Sequence, residues 1–218
     1  MNKMKNVFRI VSFPVLFGAM LVLLTACPQH KEPIYKDFGK IPERYLATVP
    51  YHDGEVFRMQ HEGDRVVIDF TVSRHRQKET GNDYIYLEKY KPAPNYYYDY
   101  EVDITKCTPD YPIFDVELSF SNLYMLYEEE GMGAEKLANL NAVGSARFPF
   151  IGEDHSNYDV ADSLEINGRY YHDVFKLTAD YYNEEEGSIY AETYYYNYET
   201  GLLGIVMSNG EKYWYYEE

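Results

Sequence analysis

Tryptophan occurs once in this 218-residue chain, cysteine twice, and 20 lysines and arginines stand against 36 aspartates and glutamates. Each shortage excludes something. Two cysteines cannot make the multi-bridge framework of a small secreted scaffold. A net charge of −16 opposes binding to nucleic acid, whose phosphate backbone would repel it. No G-x-S-x-G, H-E-x-x-H or C-x-x-C motif and no phosphate loop is present, so no cofactor and no familiar catalytic centre is indicated. No repeat of about 20–50 residues points to a solenoid or propeller. What the chain has in abundance is tyrosine, 26 residues, within a composition 45% hydrophobic and 17% aromatic. That is far too apolar for a disordered acidic tail, and the length suits one well-buried domain.

The first 26 residues behave unlike the rest. Lys3, Lys5 and Arg9 precede an uncharged run from Ile10 to Ala26, the layout of a signal peptide. The run is shorter than the roughly 20 apolar residues of a spanning helix and is interrupted by Pro14 and Gly18. It ends in Leu24-Thr25-Ala26-Cys27, which resembles the lipobox of bacterial lipoproteins. That resemblance implies cleavage after Ala26, a diacylglyceryl group on the Cys27 thiol and acylation of the new amino terminus. Cysteine suits the position because its thiolate is the nucleophile, and two or more acyl chains hold a protein stably where one does not. Cleavage also removes Lys3, Lys5 and Arg9, so −16 deepens to −19. Anionic headgroups would repel such a domain, so the lipid must do the anchoring. Pro28, in place of aspartate after the cysteine, implies by the same resemblance an outer-membrane destination, facing the periplasm. The chain then divides into a signal peptide 1–26, a lipid-anchored tether 27–43 interrupted by Pro28, Pro33 and Pro42, and a single β domain 44–218. With Cys27 lipidated, Cys107 has no partner and is expected to be buried and inert.

From residue 44 onward hydrophobicity alternates with period two. Phe57 and Met59 share a face with Val66, Ile68, Phe70 and Val72 if the chain turns tightly at His61-Glu62-Gly63-Asp64, leaving Arg58, Gln60, Arg65 and Asp69 outside. In 96–104, Tyr98, Tyr100, Val102 and Ile104 are expected inside and Tyr97, Asp99, Glu101 and Asp103 outside. In 113–120, Phe114, Val116, Leu118 and Phe120 are expected inside. Asn167-Gly168 and Asn209-Gly210 are favoured two-residue hairpin pairs, because both turn residues need positive φ. A two-residue loop at Asn209-Gly210 places Ile205 opposite Trp214, Leu203 opposite Tyr216 and Val206 opposite Tyr213, with Trp214 in the core. Only Met132–Asn141, between Gly131 and Gly144, has helical composition. Strands without a βαβ rhythm give an all-β antiparallel sandwich or partly closed half-barrel with at most that one short helix.

Asn167-Gly168-Arg169-Tyr170-Tyr171-His172-Asp173-Val174-Phe175, followed by Tyr194-Tyr195-Tyr196, Gly201-Leu202-Leu203-Gly204-Ile205 and Asn209-Gly210-Glu211-Lys212-Tyr213-Trp214, resembles a pattern in uncharacterised bacterial lipoproteins. The resemblance covers about a quarter of the chain and implies architecture and location only. The twisted terminal hairpin is also similar to that of the half-barrels that carry lipoproteins through the periplasm.

Candidate chemistry is sparse. Gly131-Met132-Gly133-Ala134-Glu135-Lys136 lacks phosphate-loop spacing. His52-Asp53 and His61-Glu62 fall at turns and suit solvated histidines better than ligands. The stretch 151–162 echoes a calcium loop but carries Asp159 where glycine is required, and no metal site is assigned. Carboxylate pairs for glycoside hydrolysis need separations of about 5–9.5 Å, which sequence does not measure. Tyrosine provides the functional lead. Tyr97, Tyr195 and Tyr215 alternate to the side opposite the expected core, and an exposed tyrosine face is a common recognition surface. Tyrosine is equally a β-former that tolerates partial exposure. The expectation is a lipid-anchored, non-enzymatic binding module for an envelope protein or glycan, with Tyr97, Tyr195 and Tyr215 as its face. A half-barrel carrier of an apolar ligand or lipoprotein and a carboxylate-dependent hydrolase are the alternatives.

Overall fold

The computed structural model of the chain describes residues 32–84, 95–128, 131–182 and 188–218. The signal segment, Cys27 and Glu184-Glu185-Glu186 lie outside them. The chain forms two compact units, Met1–Tyr35 with Asn82–Tyr97, and Lys36–Gly81 with Tyr98–Glu218. In the first unit the rings of Tyr35 and Tyr97 stack with centroids 5.1 Å apart.

The elements are β1 (Ile34–Asp37), α1 (Glu43–Leu46), β2 (Val56–His61), β3 (Val67–Tyr84), β4 (Asn95–Pro109), β5 (Val116–Glu128), β6 (Gly131–Asn141), β7 (Ser145–Arg147), β8 (Asp159–Ile166), β9 (Arg169–Thr178), β10 (Ala191–Asn197), β11 (Gly201–Met207) and β12 (Lys212–Tyr215). α1 is a single turn, and His155–Asn157 adds one 3-10 turn. The fold is all-β, an antiparallel sheet curled into a half-barrel. Its strand order is β7-β6-β5-β4-β3-β2-β12-β11-β10-β9-β8. Two meanders, β2 to β7 and β8 to β12, are therefore joined where β12 pairs with β2, Tyr213 opposite His61 and Tyr215 opposite Met59.

Where the hydrophobic alternation is strongest, the strands follow it. Phe57 faces Phe70, Met59 faces Ile68 and Arg58 faces Asp69. The apolar four are buried, and Arg58 Nε bonds Asp69 Oδ1 at 2.9 Å on the outer side. Val116, Leu118 and Phe120 of β5 point inward as expected. Asn167 and Gly168 have φ of 50° and 82°, which allows the two-residue turn that sets Ile166 opposite Arg169.

Four expectations are corrected. The segment 132–141 is not a helix but β6. It pairs with β5 from Glu117–Asn141 to Glu128–Gly131, and Ala138 and Leu140 sit opposite Phe120 and Leu118. Long-range pairing against an aromatic strand overrides local helix propensity. Strand β4 shows the opposite face to the one expected. Asp103, Thr105 and Cys107 are buried while Val102 and Ile104 are only half-buried, because they lie opposite the inward Phe120, Leu118 and Val116. Phe120 already stacks with Tyr45 and packs edge-on to Phe150, so the inner face there takes small residues and one ion pair. The terminal hairpin is one residue longer than a two-residue loop. Met207 N–H donates to Glu211 O and Gly210 N–H to Met207 O, and only Gly210 has positive φ, 89°, as in a three-residue loop. Trp214 therefore faces Gly204, not Ile205, and Tyr213 faces Ile205. Tyr213, not Trp214, is the core residue. Last, the Pro-interrupted segment before residue 44 is not without order: Ile34–Asp37 is strand β1 and Phe38 and Ile41 are tied to β4. Phe38 N–H donates to Asp99 O, Ile41 N–H donates to Glu101 Oε2 at 2.7 Å, and Ile41 is buried.

The concave face is filled by Tyr45, Tyr51, Phe57, Phe70, Phe120, Phe148, Tyr194 and Tyr196. Buried phenols need partners, and these ones tie loops to the sheet. Tyr51 Oη accepts from Leu202 N–H at 2.8 Å. Tyr194 Oη accepts from Ala142 N–H at 3.0 Å and donates to Gly144 O. Tyr196 Oη donates to Thr48 O. Burial pushes the ionisation of all three phenols up.

Candidate functional site

Two irregularities build the outer face of β10 to β12. Tyr195 pairs with Gly204 and Tyr196 with Leu202, so Leu203 is an extra residue in β11. A bulge of this kind re-aims side chains, and Leu203 and Gly204 both come to the outer side. Without a side chain, Gly204 leaves room for a ring. A Cβ there would lie 2.4 Å from Trp214 Cζ3 and 3.3 Å from Tyr195 Cδ2. The indole thus lies over Gly204, with its centroid 5.3 Å from that of Tyr195. The β8–β9 turn packs on the same side. Ile166, Val174 and Leu203 are buried, with Leu164, Tyr171, Tyr195, Trp214 and Tyr215 half-buried around them. Tyr171 and Tyr215 meet edge to face at 5.9 Å. Asn167 Nδ2 donates to Tyr215 O at 3.2 Å, and Arg169 pairs with Glu217. Burial, and then the neighbouring Tyr171, raise the ionisation of the Tyr215 phenol.

Of the three tyrosines singled out in the sequence, Tyr195 lies in this cluster, while Tyr215, opposite the buried Met59 on the side of Tyr213, reaches it through Tyr171 and also packs against the main core. Tyr97 belongs to the other unit, where it lies on Tyr35. The centre of the cluster is Trp214, which a two-residue loop at Asn209-Gly210 would put in the core and the three-residue loop puts outside.

Beside Trp214 opens a shallow cleft of about 240 Å3, lined by Glu62, Arg65, Glu165, Ile166, Asn167 and the indole. Its polar groups are only partly engaged. Glu62 uses Oε2 on Lys212 at 3.1 Å. Arg65 Nη1 donates to Gln60 Oε1 at 3.3 Å, and Asn167 uses Nδ2 but not Oδ1. The neighbouring Glu165 carboxylate raises the ionisation of the exposed Tyr170 phenol.

A second cleft, of about 590 Å3, has Leu46, Ala47, Val49 and Pro50 on one wall and Arg74 and Asp103 at its base. Here the polar groups serve the fold. Arg74 Nη1 donates to Val49 O and Tyr51 O at 2.8 and 2.7 Å. Its Nη2 donates to Leu46 O and to Asp103 Oδ2 at 2.9 and 2.6 Å, and Nε completes the fork on Asp103. All five donors of a guanidinium are engaged. The other lining carboxylate, Asp53, accepts from Arg74 N–H through Oδ1, and Arg76 pairs with Glu43 at 3.1 Å. His52 and His75 stand exposed at the rim. Nearby, Tyr198 Oη meets His155 Nε2 at 3.0 Å. Burial and the adjacent Glu153 push the Tyr158 phenol up to about 12.

The remaining candidates take structural places. Burial raises the Cys107 thiol to about 12, so it is not a nucleophile at neutral pH. Asp154 accepts from Ser156 N–H at the start of the 3-10 turn. His61 Nδ1 lies 2.7 Å from Asp64 Oδ1. Among the described residues no group of three or more potential ligands could hold a metal ion, and no helix is long and apolar enough to cross a membrane.

No protein-family model, no curated protein and no solved structure matches this chain.

Proposed function

We propose that the chain is a lipid-anchored cell-envelope protein, held at the outer membrane through Cys27 and facing the periplasm, whose β domain is a non-enzymatic binding module for a protein or glycan partner. The observation that carries the binding role is the aromatic pair of Tyr195 and Trp214 on the outer side, next to a cleft lined by Glu62, Arg65, Glu165 and Asn167. Aromatic residues with an apolar face and a polar rim are the usual material of recognition surfaces. The anchoring role rests on the charged start, the uncharged run and the Leu24-Thr25-Ala26-Cys27 sequence.

The alternatives have less support. A carrier of apolar ligands needs an open concave face, and here that face is filled by the protein's own rings. A two-carboxylate hydrolase needs convergent acids with free oxygens, and in the larger cleft Asp103 is held by the Arg74 fork.

One experiment tests both halves. The full chain is expressed with labelled palmitate, and the detergent-solubilised envelope is used for co-purification and a glycan screen. Label on the wild type that disappears in Cys27→Ala, together with a partner or glycan lost on Trp214→Ala, is the expected result. Unlabelled wild type overturns the anchor, and no partner and a flat glycan screen overturn the binding role.

A further inference from the structure

We infer that the cleft beside Trp214 is a subsite for a neutral glycan, an inference that rests on the binding role proposed above and names its ligand class. The indole offers one apolar plate, held in place over Gly204 by the close approach of its Cζ3 and by Tyr195. Around it stand two carboxylates, a guanidinium and an amide from Glu62, Glu165, Arg65 and Asn167. A sugar ring has matching chemistry, a C–H face for stacking and hydroxyls that both donate and accept. A purely apolar side chain would leave this polar rim unpaired, at a cost in affinity.

Hydrogen-bonding capacity distinguishes this cleft from the larger one. At the base of the larger cleft every Arg74 donor is engaged within the chain. Beside Trp214, Asn167 Oδ1, Arg65 Nε and Glu62 Oε1 have no partner among the described residues. Asn167 projects from a two-residue turn with φ of 50°, and Arg65 has φ of 63°.

Charge selects among glycans. Glu62 is paired with Lys212 and Glu165 stands with Arg65, so the cleft offers no excess of cations to an anion, and the whole chain carries −16. Uronate-, sialate- or phosphate-bearing polymers are repelled by such a field, so the ligand is an uncharged saccharide.

The sole tryptophan reports on its own site. The full chain, in a detergent without a sugar headgroup, is titrated with maltohexaose and chitohexaose as neutral probes and with a hexameric alginate as the anionic one, following tryptophan emission. A saturable change with a neutral probe and none with alginate is expected. The exposed Glu62→Gln/Glu165→Gln pair weakens that binding by roughly ten-fold or more, about the loss of one hydrogen bond to a charged group, while leaving the urea unfolding midpoint unchanged. Equal binding of alginate, or binding untouched by the double variant, overturns the inference. Neutral probes that leave the emission unchanged overturn it too. The wider binding role then survives only if a co-purified envelope protein alters the emission and loses affinity in the double variant, and otherwise both fall.

Discussion

Replacing Arg74 with methionine tests how the chain between α1 and β2 is held on the sheet. The Arg74 side chain is 16% exposed and the Asp103 side chain 2%. Five hydrogen bonds leave one guanidinium, two onto the carboxylate and three onto Leu46, Val49 and Tyr51 carbonyls. Methionine matches the stem and removes the fork. Asp103 is then a buried charge without a partner, and losing one member of a buried pair costs about 3–5 kcal/mol. The three carbonyls border the larger cleft, where water can replace their donors, so they add little beyond that figure. Against a typical domain stability of about 5–15 kcal/mol the loss is severe. Urea unfolding followed by circular dichroism measures it, as a lower midpoint at unchanged slope. Two companion variants separate charge from geometry. Arg74→Lys keeps a positive charge but offers three donors without the fork, and should lose about 1–3 kcal/mol. Arg74→Met/Asp103→Leu removes both charges and should be more stable than Arg74→Met alone. An Arg74→Met loss below about 1 kcal/mol, or a double variant whose losses simply add, would refute the clamp, since coupled neighbours depart from additivity by about 0.5–3 kcal/mol.

Gly204→Ala should push the indole off β11, because the new Cβ would lie 2.4 Å from the ring. A red-shifted tryptophan emission and a loss of about 1–3 kcal/mol are the expected readouts. Raising the pH should unfold the protein through its buried phenols. Tyr51, Tyr194 and Tyr196 are pushed up by burial, so the native state holds their protons longer than the unfolded chain does. The stability they contribute is complete below the ordinary tyrosine value of about 10 and falls as the pH rises above it. Tyrosinate absorbance should therefore include a cooperative rise that coincides with loss of circular dichroism. In a Cys27→Ala background the buried Cys107, raised to about 12, should be silent to a thiol reagent at pH 8 and react only in denaturant. Rapid native labelling would contradict its burial.

Local alternation was enough to read the β2–β3 hairpin, because Phe57, Met59, Ile68 and Phe70 on one side and Arg58 and Asp69 on the other agree about the face. It misread β4, where Val102 and Ile104 outweigh Asp103 and Thr105 in hydrophobicity. The face was decided by residues far along the chain, Phe120 opposite and Arg74 on β3. Helical composition in 132–141 failed for the same reason, since a partner strand outweighs propensity. Of the candidate site, Tyr195 reads as outward from the sequence, whereas Tyr215 lies on the side of Tyr213, opposite the buried Met59. Trp214, the companion of Tyr195, does not read as outward, since one extra loop residue at Ser208 moves it to the other face.

The shortage of cysteine and cation and the surplus of tyrosine, together with the Cys27 sequence and the period-two pattern, determine by themselves that this is an acidic all-β domain without a disulfide framework, and they motivate a lipid anchor. Tertiary structure alone decided what the tyrosines do. Their positions relative to the concave face depend on a bulge at Leu203, a loop length at Gly210 and the pairing of β12 with β2; the first two are backbone irregularities that alternation does not display, and the third joins residues about 150 positions apart.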